Sequence, residues 1–100
     1  MSVGEIDGVE ESSGLRTTSA AIRTTPCRMY NLTLIAGTAA SSITLYDNAS
    51  AASGTVLAKV SEATAGASRH QHYGKPVAAS NGIYAALTGA NAAYIVYSVK

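Results

Sequence analysis

The sequence lacks phenylalanine and tryptophan, and Cys27 is the single cysteine among its 100 residues. One cysteine excludes an internal disulfide and any metal site made of cysteines alone. Charged residues make up 13% of the chain, which is about half of their usual share of roughly 25%. The net charge of +1 excludes binding to a polyanion through overall charge, so we predict no nucleic-acid partner.

Long apolar runs are also missing from the sequence. No run approaches the roughly 18 residues that a membrane-spanning helix needs. Residues 1–7 show neither the basic part nor the apolar part of a secretory signal. We therefore predict that the protein has no membrane partner.

Catalytic motifs are scarce. Beyond the first 14 residues the only carboxylates are Asp47 and Glu62, and both stand beside turn or loop residues, where such side chains commonly bind the backbone. No serine lies in a Gly-x-Ser-x-Gly motif, and no glycine-rich phosphate-binding loop is present. We predict that the protein is not an enzyme and uses no cofactor.

Most of the residues that are present have small side chains. Alanine, serine, threonine and glycine dominate, and the aromatic residues are six tyrosines. Small side chains bury little apolar area, at about 25 cal/mol per Å², so a chain of this size is only marginally stable alone. Tyrosine is enriched at interfaces because it joins an apolar ring to a polar end. We therefore expect contacts with other chains, including copies of this one; a monomer of modest stability is the alternative.

The charges divide the chain into two parts. Residues 1–14 hold four of the six acidic residues and show no apolar periodicity, which predicts a flexible acidic arm. Residues 15–100 hold all seven basic residues and two acidic ones, an excess of five positive charges. This division favours pairing of the arm with the body of a neighbouring subunit, and a solubilising tail is the alternative.

Short segments with strand character follow one another along the body, separated by turn residues such as Asn81-Gly82. The segments are residues 15–25, 27–36, 42–46, 55–61, 68–73, 83–87 and 92–99. Six to eight short strands with turn signals between them indicate an antiparallel sandwich or barrel. We predict an all-β fold, a small antiparallel β-sandwich formed by residues 15–100.

Two finer expectations concern single strands. One set of alternating residues in the second segment is expected to form its apolar face: Arg28, Tyr30, Leu32, Leu34 and Ala36. Gly74 and Pro76 are expected to end the polar strand or loop that precedes them, because proline cannot donate a hydrogen bond to a sheet.

The last two segments read as the clearest hairpin of the chain. Residues 83–87 and 92–99 are separated by a short turn that contains Gly89. The second segment is apolar or aromatic on both faces, with Tyr94 and Tyr97 on opposite sides. Such a strand is covered on both sides, so we expect another chain to cover its outer face.

His70-Gln71-His72 is the one arrangement with metal-binding character. Residues two apart on a strand point to the same face, so both imidazoles can reach one ion. Two ligands do not complete a site, so we predict no bound metal and keep these two histidines as the only candidates. The neighbouring Arg69 and Lys75 form a basic cluster too small to indicate nucleic-acid binding, and the acidic arm is the simpler partner for it.

Five segments resemble those of a known class of proteins: Ile43-Thr-Leu-Tyr-Asp-Asn48, Ser53-Gly-Thr-Val-Leu-Ala58, Lys75-Pro-Val77, Asn81-Gly-Ile-Tyr84 and Ala93-Tyr-Ile-Val-Tyr97. The pattern covers about residues 27–99 and resembles small β-sandwich virion proteins of tailed bacteriophages. Those proteins are attached to capsids or tails as cement, decoration or adaptor subunits. The resemblance implies a structural role without catalytic residues, and homo-oligomers that are often trimers.

We therefore expect a capsid cement or decoration subunit that binds the major capsid protein and stabilises contacts between its copies. Its location would be the virion, assembled in the host cytoplasm. The residues expected to contact the partner are Glu5, Asp7, Glu10, Glu11, Tyr94 and Tyr97. One alternative is a tail, fibre or head–tail adaptor subunit, in which His70 and His72 hold a metal on a symmetry axis, as His-x-His pairs do at phage spike tips. The other is a carbohydrate- or receptor-binding module.

Overall fold

The computed structural model describes residues 11–99, in which eight strands form two sheets of four. The strands are β1 (Glu11–Ser12), β2 (Ala20–Arg23), β3 (Cys27–Ile35), β4 (Ser41–Tyr46), β5 (Val56–Glu62), β6 (Ser68–Ala79), β7 (Ile83–Thr88) and β8 (Ala93–Val99). Sheet A has the order β1-β8-β3-β6, and sheet B has the order β2-β7-β4-β5. All neighbouring strands are antiparallel, which confirms the predicted small antiparallel β-sandwich.

The core lies between the inner faces of the two sheets. In β4 the buried Ile43 and Leu45 alternate with the half-buried Thr44 and Tyr46, the period-two pattern of a strand with one face on the core. The same alternation in β3, β7 and β8 supplies the remaining large buried side chains: Met29, Leu32, Leu34, Ile83, Tyr94 and Val96. Among residues 11–99, Tyr94 is the only aromatic side chain that is fully buried.

A β-bulge in β3 overturns part of the expected apolar face. Met29 lies opposite Ser98, but Asn31 lies opposite Tyr97, so Tyr30 is an extra residue in β3. An extra residue reverses the direction in which the following side chains point. Met29 is therefore buried before the bulge and Leu32 after it, while Tyr30 is only half-buried. Leu32 and Leu34 face the core as expected, and Tyr30 does not share their face.

The predicted hairpin of the last two strands is wrong. β7 pairs with β2 and β4, whereas β8 pairs with β1 and β3, so the chain crosses from sheet B to sheet A between them. The turn does use residues suited to positive φ, Gly89 at 117° and Asn91 at 59°. Its position is held by Thr38, whose N–H donates to the carbonyl of Ala90 at 2.9 Å. A turn signal shows that the chain reverses, but contacts distant in sequence decide which sheet it enters.

The expected break at Gly74 and Pro76 is also corrected, because β6 continues to Ala79. Val77 lies opposite Met29, and His72 lies opposite Asn31. Residues 73–76 of β6 therefore lie opposite the single residue Tyr30 of β3. β6 is an edge strand of sheet A, where proline and bulges are tolerated. The two residues interrupt the pairing locally without ending the strand.

The described end of the predicted acidic arm is bonded to sheet A. The N–H of Ser13 donates to the carbonyl of Val96 at 2.8 Å, and Arg16 exchanges two backbone hydrogen bonds of 2.9 Å with Tyr94. Residues 11–16 therefore extend the edge of the sheet beside β8. Glu5, Asp7 and Glu10 lie outside the described residues.

Candidate functional site

The outer surface of sheet A is the first candidate surface, and we call it face A. It is formed by the half-buried or exposed residues that alternate with the core residues of β3, β6 and β8: Asn31, Thr33, Ile35, His70, His72, Ile95 and Tyr97. Two rows cross these strands, Tyr97–Asn31–His72 and Ile95–Thr33–His70. These residues provide apolar, amide, hydroxyl and imidazole groups without a carboxylate or primary amine, and the exposed Arg28, between the buried Cys27 and Met29, adds a guanidinium group to the same face.

The two histidines of face A are oriented by hydrogen bonds to β3. Nδ1 of His70 lies 2.7 Å from Oγ1 of Thr33. Nδ1 of His72 donates to Oδ1 of Asn31, because a carbonyl oxygen can only accept. Both side chains are exposed and lie on the same face of the strand, as their spacing predicts. Their partners on β3 were not predicted, since the bulge at Tyr30 sets that register.

The two tyrosines expected to contact a partner have different environments. Tyr97 is half-buried on face A. Tyr94 is 0% exposed, and its hydroxyl donates to the carbonyl of Thr18 at 2.8 Å. Burial raises the pKa of Tyr94 above its usual value, partly offset by the nearby positive charge of Arg16. The expectation that Tyr94 contacts a partner is therefore corrected: its ring is part of the chain's own core.

Glu11, also expected at the partner interface, binds a buried arginine of its own chain. Oε1 of Glu11 accepts a hydrogen bond of 3.3 Å from Nη2 of Arg23, which is 7% exposed. Nε of Arg23 donates to the hydroxyl of Ser98 at 2.8 Å. These contacts join β1 and β8 of sheet A to β2 of sheet B beside a polar cavity of about 170 Å³. The Glu11–Arg23 pair therefore links sheet A to sheet B beside this cavity.

A second surface, which we call face B, lies on the outside of sheet B and was not singled out from the sequence. Its centre is a row of four residues across the sheet, Ala21, Tyr84, Tyr46 and Val56. Val56 is 52% exposed. Asp47 directly follows Tyr46 at the end of β4, and its Oδ1 accepts a hydrogen bond of 2.7 Å from the N–H of Asn81. The alternation of Tyr46 with the buried Ile43 and Leu45 was the available signal for an outward tyrosine.

The two carboxylates of the body bind neighbouring groups in separate places. Glu62 accepts a hydrogen bond of 3.1 Å from the N–H of Thr64, and Nε of Arg69 lies 3.4 Å from its other oxygen. The Thr64 hydrogen bond, together with the charge of Arg69, lowers the pKa of Glu62. Asp47 is bonded to Asn81 at the end of face B. Each carboxylate thus has a local structural contact, and the absence of enzymatic activity stays a prediction.

Two further features bear on the classes of site considered. Residues 11–99 hold no group of three or more histidine, cysteine, aspartate or glutamate side chains placed to bind a metal ion. This part of the chain also contains no helix with the length and apolar character of a membrane span.

Comparisons with protein-family models, curated proteins and solved structures find no match.

Proposed function

We propose that the protein is a structural subunit of a phage virion, of the cement or decoration type, that binds the outer capsid surface. The observation that supports this most directly is the arrangement at the β1–β8 edge of sheet A. Glu11 lies opposite Ser98 and Ser12 lies opposite Tyr97. Ser12 of the acidic segment therefore lies beside Tyr97, at the margin of face A.

The size of face A explains why a bridging subunit would need both face A and the acidic segment. Three strands about 4.8 Å apart and about five residues long give a face of roughly 240 Å². A stable interface buries about 800 Å² on each partner, so face A alone is too small. An extended segment of ten residues reaches up to about 33–36 Å. Face A can then sit on one capsid subunit while the segment reaches the next.

The stabilising mechanism is mass action. A subunit that contacts two capsid proteins at once binds only where they are assembled side by side, so it stabilises the assembled state. At a free concentration of one hundred times Kd, each occupied site adds about 2.7 kcal/mol. Docking of the Tyr97–Asn31–His72 and Ile95–Thr33–His70 rows would desolvate no carboxylate or primary amine, and the guanidinium of Arg28 lies next to these rows.

The test is sedimentation of the protein with capsids assembled from the major capsid protein of the same genome. We expect the full chain to sediment with the capsids and a variant lacking residues 1–10 to remain in solution. Tyr97→Ser on face A is expected to weaken binding at least tenfold. Tyr84→Ser on face B is the matched control and is expected to bind like the unmodified chain. Failure of the full chain to bind capsids would overturn the proposal.

Two alternatives make different predictions in related experiments. A tail, fibre or head–tail adaptor subunit would be located away from the capsid shell when labelled particles are imaged by electron microscopy. The same particles would show whether the subunit is a trimer. A carbohydrate-binding module is favoured by face B, where the Tyr46–Tyr84 pair lies beside Asp47, because an aromatic platform next to a carboxylate suits a sugar ring. Selective glycan binding that is lost in Tyr84→Ser would support that module.

A further inference from the structure

We propose that His70 and His72 form a surface site for one divalent transition-metal ion, with Zn²⁺, Ni²⁺ and Cu²⁺ as the candidates. This proposal departs from the expectation above that no metal is bound, and it does not depend on the virion role. Imidazole nitrogen suits these ions, whereas Mg²⁺ and Ca²⁺ prefer oxygen ligands. Because the described residues supply only two ligands here, water or a ligand from another molecule would complete the coordination.

The position of the two histidines is the first argument for the site. They are two residues apart in β6, both are exposed, and both project from face A. Their Cα atoms are about 6.6 Å apart, the repeat of two strand residues. A metal bound at about 2.0–2.1 Å by each nitrogen requires the two nitrogens to be about 3.4 Å apart. The two rings therefore have to tilt toward each other, and the side-chain torsions of exposed residues allow such a tilt.

The hydrogen bond from His72 to Asn31 is the second argument. Since Nδ1 of His72 donates to the Asn31 carbonyl oxygen, the neutral ring carries its hydrogen on Nδ1 and its lone pair on Nε2. Nε2 lies on the far side of the ring from this bond. Metal-binding histidines almost always donate their other ring N–H to a carbonyl, carboxylate or water, which fixes the tautomer and orients the ring. His72 has this arrangement.

His70 is held in the same way by Thr33. Its Nδ1 lies 2.7 Å from the Thr33 hydroxyl, which can accept as well as donate. When the hydroxyl accepts, Nδ1 carries the hydrogen and Nε2 presents a lone pair, as in His72. Asn31 and Thr33 thus act as positioning residues, two apart on β3, for two ligands two apart on β6.

The basic residue next to His70 in the chain is Arg69. Arg69 lies opposite the core residue Leu34, so it points to the other face of the strand, where it pairs with Glu62. Its positive charge is therefore directed away from the imidazoles and partly neutralised. Within residues 11–99, β6 forms sheet hydrogen bonds only with β3. No described strand covers its other edge, so water or a group from another molecule can reach an ion bound by the two histidines.

The test is calorimetric titration of the full chain with ZnCl₂ and with NiCl₂ at pH 7.5, in a buffer that does not bind metals. We expect one ion per chain, or one per two chains if a second copy supplies the missing ligands. His70→Ala and His72→Ala are each expected to weaken binding at least tenfold. Thr33→Val keeps the branched shape but removes the hydrogen bond to His70, and we expect a loss of about tenfold.

The matched control exchanges two neighbours, Gln71→His combined with His72→Gln. This variant keeps both imidazoles and the net charge but moves one to the opposite face of β6. We expect it to bind no more tightly than His72→Ala, and circular dichroism checks that it is folded. If it is not folded, His70→Ala decides the question alone. Binding of the exchanged variant with unchanged affinity, or no uptake of either ion by the full chain, would refute the site.

Discussion

Replacing Tyr94 separates a role in the core from a role at a partner interface. Tyr94 and Tyr97 belong to the same strand, β8, but point to opposite faces of sheet A. The ring of Tyr94 is enclosed and its hydroxyl is bonded to the Thr18 carbonyl. The ring of Tyr97 is half-buried on face A. We expect substitutions of Tyr94 to change the free energy of unfolding and substitutions of Tyr97 to change it little.

The expected magnitudes come from the contacts that each substitution removes. Tyr94→Phe keeps the ring and loses one hydrogen bond, for about 0.5–1.5 kcal/mol. Tyr94→Ala also empties the space of a fully buried aromatic ring, for about 3–5 kcal/mol. Tyr97→Ala removes a cross-strand contact worth about 0.2–1 kcal/mol. For a chain with a total stability of about 5–15 kcal/mol, Tyr94→Ala leaves a marginal or unfolded protein.

Urea denaturation followed by circular dichroism measures all three variants, with calorimetry for the melting temperature. A loss of 1 kcal/mol lowers Tm by about 4–8 °C in a domain of this size, so Tyr94→Phe is resolved from the unmodified chain. Equal losses for Tyr94→Ala and Tyr97→Ala would show that the assignment of faces in β8 is incorrect.

The pH dependence of stability provides a second measurement on Tyr94→Phe. Burial raises the pKa of Tyr94 in the folded state, so the unfolded chain releases this proton first as pH rises. The stability from Tyr94 is therefore complete below the unfolded pKa, near 10, and is lost as pH rises through the folded pKa. Tyr94→Phe removes this group, so we expect a smaller loss of stability between pH 9 and pH 11. An unchanged alkaline profile would contradict the buried position of the hydroxyl.

Two further predictions concern Glu62 and Gly37. The pKa of Glu62 is lowered in the folded state, so the stability that Glu62 contributes is present above its unfolded pKa and is lost as pH falls through its folded pKa. In urea denaturation, the Glu62→Gln variant should therefore lose less stability between pH 7 and pH 3 than the unmodified chain. An equal loss in both proteins would show that Glu62 does not contribute to acid destabilisation. At Gly37 a Cβ would overlap the carbonyl of Ala90 in the β7–β8 connection, so Gly37→Ala is expected to cost about 1–3 kcal/mol. Gly74→Ala is the control, because a Cβ at that position meets no atom within 4 Å. Equal losses in the free energy of unfolding for the two variants, measured by urea denaturation, would show that the β7–β8 connection does not pack on Gly37.

The strands themselves could be predicted because their signals are local. In β4 the alternation of Ile43 and Leu45 with outward residues, followed by Asp47, defines both the strand and its end. The pairing of β7 could not be predicted in this way. Its turn, with Gly89, has the residues of a hairpin, yet the strand that follows belongs to the other sheet. The choice depends on contacts with Gly37 and Thr38, about fifty residues away in the sequence.

The candidate sites show the same division between local and distant information. A spacing of two places His70 and His72 on one face, and this was predictable from the sequence. Their partners on β3 were not, because the bulge at Tyr30 and the extra residues of β6 together set which residues lie opposite. The odd spacing of Tyr94 and Tyr97 likewise shows that they point in opposite directions. Which of them is buried depends on which side of β8 faces sheet B.

The β1–β8 edge links the stability of the fold to the proposed binding of a partner. β1 is only two residues long, and its attachment relies on Ser13, on backbone bonds to β8 and on the Glu11–Arg23 pair. Short edge segments open at low free-energy cost, so the edge should exchange amide hydrogens sooner than β3 at the centre of sheet A. A partner that binds residues 1–10 together with face A would hold β1 in place and slow that exchange. Hydrogen exchange at Ser12 and Ser13 therefore reports partner binding, and slowing confined to face B would place the partner on the other side of the sandwich.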